Sequence, residues 1–152
     1  MTRIVKSPEN DKQKNIYLLG LVSLFNDASS EIIQPILPLF ISSLGAGGLA
    51  IGLIGGLSDG LPSLLKLLSG LWSDRLGKRK PLVAAGYSIS AVGKLLLALA
   101  TTWQQVFVFK TLERSGKGIR SAPRDAIIAE SVPRERRGKG FGIHRALDSL
   151  GA

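Results

Sequence analysis

Three apolar runs of roughly twenty residues or more follow one another at about 16–41, 51–72 and 82–100. That length as helix crosses ~30 Å of hydrocarbon. Helices in water-soluble cores are usually shorter and carry a polar face on every turn. A fourth run at about 104–121 is interrupted by Lys110, Glu113, Arg114 and Lys117, and an apolar pattern restarts at about 140–152. The expectation is an all-α membrane protein, with residues 1–15 as a cytoplasmic tail and residues 16–152 as a transmembrane domain. The start is not a secretory signal, because the first apolar run is too long for one, holds acids and lacks a cleavage site.

The loops say which way the chain faces. SSLGAGGLA and TTWQQ carry no basic residue. The tail has Arg3, Lys6, Lys12 and Lys14, the turn SDRLGKRKP is densely basic, and so is PRDAIIAESVPRERRGKG, read as a loop. Alternation of basic and neutral loops is the positive-inside pattern, which puts the N-terminus in the cytoplasm of a multi-pass plasma-membrane protein. This placement accounts for the net charge of +9 through the bilayer, without nucleic acid. Cysteine is absent, so disulfides and thiolate metal sites are excluded, and a single histidine, His144, makes no metal cluster. His144 is placed near the membrane interface, with a proton relay as its lesser reading. No phosphate loop, HExxH or nucleophile elbow is present, so neither an enzyme nor a cofactor is expected.

The first run poses a problem, because FNDASSEIIQPILPLF places Asp27 and Glu31 inside it. A charge at mid-bilayer costs about 2.5–3.5 kcal/mol on insertion scales. Ser23, Asp27, Ser30, Glu31 and Gln34 recur every three or four residues, which puts them on one helical face. Lys110, Glu113, Arg114 and Lys117 share a face of the fourth run by the same spacing. The simplest arrangement lets the two stripes line a central, water-accessible path. Asp27 and Glu31 then either close structural salt bridges or handle substrate and protons. Further charges lie at Asp59, Lys66 and Lys94, the last without an assigned role. Pro35 and Pro38 remove backbone donors and predict a kink. Gly52, Gly56 and Gly60 stack on one face and predict close approach of a neighbouring helix.

The segment Gly70–Lys80, GLWSDRLGKRK, resembles the loop signature of the major facilitator superfamily, G-x-L-a-D-r-x-G-r-k/r. Gly70, Asp74, Arg75, Gly77, Lys78 and Arg79 match, and Trp72 stands where leucine is usual. RSGKG at Arg114–Gly118 resembles the family's R-x-x-x-G pattern, and the following residues to Ala152 resemble the fourth-to-fifth-helix region of bacterial and archaeal permeases of this superfamily. The resemblance covers nearly the whole chain from Tyr17 onward.

It implies the N-terminal part of a twelve-helix bundle, about the first four and a half helices, with the C-terminal helices missing. The chain is then expected to be a gene fragment, a pseudogene product or half of a split permease. The implied function is secondary transport of a small-molecule substrate by alternating access, with protons as the coupling ion and export as the direction. The alternative is a non-transporting membrane scaffold, or a half-permease that needs a partner chain. Asp27, Glu31, Gln34, Lys110, Glu113 and Arg114 are the expected substrate and proton pathway. The signature loop is the expected inward gate, with Asp74 held by Arg75, Arg79 and also Arg120 or Arg124.

Overall fold

The computed structural model describes residues 8–134 and 137–150, and these form helices without a strand. The order is α1 Pro8–Ile33, α2 Leu37–Ser43, α3 Gly48–Leu76, α4 Arg79–Leu97, α5 Trp103–Ser131 and α6 Arg137–Leu150. Residues 1–7 of the expected tail and 151–152 of the expected fifth span lie outside the described residues.

Each boundary has a local cause. The first apolar run is two helices, because Pro35 and Pro38 lack the N–H groups that would continue the ladder. After Gln34, Ile36 N–H donates to Ile33 O at 3.2 Å in a tight turn, and α2 restarts with Pro38 in its first turn. Between α3 and α4 only Gly77 and Lys78 intervene. Gly77 takes φ of +61°, which an L side chain resists, and its N–H donates to Ser73 O at 3.0 Å. Thr102 caps α5 by accepting from Gln105 N–H at 3.4 Å, and the Gln105 side chain accepts in return from Thr102 N–H.

α5 runs on through a buried Pro123 to Ser131, so the first half of the expected loop PRDAIIAESVPRERRGKG is helical. The expected boundary at about residue 121 lies ten residues short of the observed end, and Pro123 does not end the helix. One missing N–H inside a packed bundle does not suffice to do so.

α5 is the centre of the bundle, flanked by α3 and α4, while α6 packs along α1. The α4–α5 seam is glycine on glycine. A Cβ on Gly116 would lie 2.5 Å from Gly86 O, and one on Gly93 would lie 2.7 Å from Glu113 N. On the α3 side, a Cβ on Gly118 would meet Leu65 Cβ at 2.6 Å. The predicted close approach at Gly52, Gly56 and Gly60 does not occur, since a Cβ at any of the three meets nothing within 4 Å. Spacing made a small-residue face there, but no described helix comes to it.

Polarity is arranged inside out. Asp27, Lys110, Glu113, Arg114, Arg120 and Arg124 are buried, while Leu18, Phe25, Ile32, Leu49, Leu67 and Leu95 are exposed. In water this would leave a large apolar surface and a charged core, both unfavourable. In hydrocarbon the same distribution is the stable one. Among the described residues α3 is the one helix long and apolar enough to cross a membrane by length and composition. Charges in the interior of α5 lower its hydropathy, although most of them turn inward.

Candidate functional site: a charged seam between α1 and α5

The polar face of α1 meets α5 directly. Asp27 Oδ1 accepts from Arg120 Nη2 at 2.9 Å and lies 3.6 Å from Lys117 Nζ. One turn along, Ser30 Oγ donates to Glu113 Oε1 at 3.0 Å. Glu113 is also 3.1 Å from Lys110 Nζ on its own helix and 3.4 Å from Arg114 Nε. Gln34 Oε1 accepts from Arg114 Nη2. At the other end Ser23 Oγ accepts from Arg124 Nη1 at 2.6 Å and from Tyr87 OH at 3.2 Å.

The sequence reading set the two stripes on either side of a water-accessible path. Among the described residues the contact is direct instead, and Arg120 is only 1 % exposed. Desolvated carboxylates at this depth are tolerable because each has a cation or hydroxyl in reach. Of the six predicted pathway residues, Asp27, Gln34, Lys110, Glu113 and Arg114 join this seam. Glu31 is partly buried and makes no ion pair among the described residues. Lys94 of α4 pairs with no acid among the described residues, and its ammonium donates to Asn26 O and to Ser29 Oγ on α1.

Arg120 and Arg124 are the residues that the sequence reading left outside the pathway. Arg120 binds Asp27, and its Cζ sits 4.2 Å from the centre of the Tyr87 ring on α4. Its Nε and Nη1 are buried without a hydrogen-bond partner among the described residues, and the ring face partly compensates them. Arg124 lies 3.5 Å from Asp125 and 3.5 Å from Asp148 of α6. His144, also of α6, is buried at 2 % exposure. Lys66 of α3 reaches Asp125 at 3.1 Å. Among the described residues Lys110, Arg114 and Arg120 of α5 are buried with the carboxylates Asp27 and Glu113, and the buried Arg124 is met by the less buried Asp125 and Asp148.

A second polar site lies at the α3–α4 junction. Asp74 sits in the last turn of α3, where the helix dipole disfavours a carboxylate. Arg79 Nη2 stands 3.4 Å from Asp74 Oδ1, and Arg79 Nη1 bonds Glu130 near the end of α5. The hydrogen bond from Arg79 holds the Glu130 carboxyl below the usual range, and the opposite charge adds to it. Arg120 and Arg124 do not supply Asp74, as was expected, because Asp27 and Ser23 hold them on the far side of α5. Gly70 passes close to α5, with its Cβ position 3.4 Å from Ala122 Cβ. Arg75 and Lys78 are exposed.

Comparison with known proteins gives the context. Residues 19–152 match the Major Facilitator Superfamily. Over 149 residues the chain is 54% identical to an uncharacterized MFS-type transporter of Methanocaldococcus jannaschii, covering 97% of this chain and 37% of that protein. It is 29% identical to the multidrug resistance protein MdtH of Cronobacter sakazakii, over 80% of this chain and 30% of the relative. Identity to MdtG of Dickeya zeae is 27%, over 87% and 33%. The chain thus spans about a third of the length of these curated relatives. With the signature loop, the helical bundle and a match over most of its length, the chain belongs to the major facilitator superfamily, whose members are multi-pass membrane transporters.

Proposed function

We propose that this chain is the N-terminal part of a secondary active carrier of the plasma membrane. Its N-terminus lies in the cytoplasm, and it moves a small amphiphilic solute outward by alternating access in exchange for protons. The observation that carries this reading is the buried ionisable seam of Asp27, Glu113, Lys110, Arg114 and Arg120 between α1 and α5. Intramembrane charges are costly and are retained where they line a path or relay protons. Asp27 and Glu113 are the carboxylates able to exchange a proton when water or cargo displaces their cations. The Asp74–Arg79–Glu130 contact ties the ends of α3, α4 and α5 together on the basic side, where an inward gate would lie. The relatives named multidrug resistance proteins favour an amphiphilic cargo and export.

The test uses everted membrane vesicles from cells expressing the complete reading frame that contains these residues. Ethidium and anilinonaphthalene sulfonate serve as fluorescent probes of opposite charge. Accumulation of either that collapses when a protonophore is added supports the proposal. Equal rates with and without the proton gradient remove the coupling. Accumulation only in right-side-out vesicles removes the direction.

A further inference from the structure

A cavity of about 300 Å³ lies between the α1–α2 break and α4. Ile32, Ile33, Leu37, Phe40, Leu97 and Ala98 line it, and its one charged wall is Lys94. Ile32, 69% exposed, and Ile36, 58% exposed, belong to its wall.

Lys94 is unusual among the cations of the bundle. An ammonium has three protons to donate. Two go to neutral acceptors, Asn26 O and Ser29 Oγ, the latter at 2.5 Å. Among the described residues no carboxylate lies within 4.0 Å of it. The two acids whose charge reaches it, Glu113 and Asp27, are already engaged by Lys110 and Arg114 and by Arg120 and Lys117. A half-buried ammonium beside an apolar cavity, with no carboxylate in direct contact among the described residues, is under-compensated. A ligand with one anionic oxygen pair and an unbranched apolar tail completes it. The headgroup takes the third proton and the charge, and the tail fills the cavity. A cationic amphiphile meets repulsion from Lys94, and a neutral one leaves the charge unanswered.

We propose that this cavity binds a single-chain amphiphilic carboxylate drawn from the surrounding bilayer, its headgroup on Lys94 and its tail against Leu97 and Phe40. The inference rests on the transport reading only in taking this ligand as cargo. The assay reads binding alone, so the two can fail separately.

The experiment is photo-crosslinking in nanodiscs, with the protein made from its complete reading frame and decanoate bearing a terminal diazirine as the probe. Adducts are expected at the cavity wall, displaced by plain decanoate and not by decyltrimethylammonium. Lys94→Met is expected to weaken displacement about tenfold or more, since a hydrogen bond to a charged group is lost, and Lys94→Arg to retain it. Ala98→Trp fills the cavity from an exposed wall position, leaves Lys94 in place, and is expected to abolish the adducts in a protein that still runs as a monodisperse species. Unchanged affinity in Lys94→Met, equal displacement by decyltrimethylammonium, or undiminished labelling in Ala98→Trp overturns the assignment.

Discussion

Replacing Gly116 with alanine puts the α4–α5 seam to a quantitative test. The new Cβ would stand 2.5 Å from Gly86 O and 2.6 Å from Ser90 N, both backbone atoms that no rotamer change can move. The two helices must separate, which also stretches the 2.9 Å hydrogen bond from Ser90 Oγ to Glu113 O. Overpacking of this kind costs about 1–3 kcal/mol. Removing a helical glycine returns about 0.5–1 kcal/mol. The net expectation is a loss of up to about 2.5 kcal/mol, centred near 1 kcal/mol, or roughly 2–4 °C in melting temperature at that centre for a chain of this size. Gly52→Ala is the control. Nothing lies within 4 Å of its Cβ position, so only the glycine term operates and stability is unchanged or slightly raised. Scanning fluorimetry in detergent ranks the three proteins. Gly86→Ala meets the same seam from the other side, 2.7 Å from Arg120 Cβ and 2.8 Å from Gly116 O. The double variant therefore loses less than the sum of the singles, because the helices are already apart. If Gly116→Ala melts with the wild type, or above Gly52→Ala, the seam is not closed by glycine contact and the reasoning fails.

Two further outcomes test the charged contacts. Asp27→Ala strands Arg120 in the bundle and is expected to cost about 3–5 kcal/mol, with much of it recovered in Asp27→Ala combined with Arg120→Met; additive losses in thermal melts would contradict a direct pair. The Arg79–Glu130 contact carries a pH signature. The folded-state value of the Glu130 carboxyl is lowered, so its contribution is complete above the ordinary glutamate range and disappears as pH falls through the lowered value. Protection against hydrogen exchange at the start of α4, normalised to the intrinsic rate at each pH, is thus expected to fall on acidification in the wild type. In Glu130→Gln the normalised protection is expected to be low throughout, and identical pH profiles would refute the contact.

The all-helical class and the order of the long helices were legible because both follow from local composition. The acids of α1 and the cations of α5 could be placed on facing stripes, since a 3.6-residue period fixes azimuth. Partner choice was not legible. Asp27 takes Arg120 rather than Lys110 or Arg114 because depth along the bundle, set by the crossing of α1 and α5, decides which cation lies level with it. A signal for Arg120 and Arg124 did exist. The series 110, 113, 114, 117 continues by threes and fours to 120, 121 and 124, beyond the point where the run was expected to end. The misplacement of the glycine contact has a different origin. Gly52, Gly56 and Gly60 are regularly spaced but open, whereas Gly86, Gly93, Gly116 and Gly118 are less regular and tightly covered. Spacing describes one surface, and contact needs two.

The two-residue link at Gly77–Lys78 bears on motion as well as on stability. An extended residue spans at most about 3.3–3.6 Å, so the link holds no slack. α3 can neither slide along α4 nor turn away from it without unwinding a helical end, and the glycine seam fastens α4 to α5 in turn. These three rods behave as one lever. α1 is attached to that lever through hydroxyls and ion pairs, bonds that entering water can exchange one at a time. Any rearrangement inside this half of the bundle is therefore expected to consist of α1 shifting against an undeformed block.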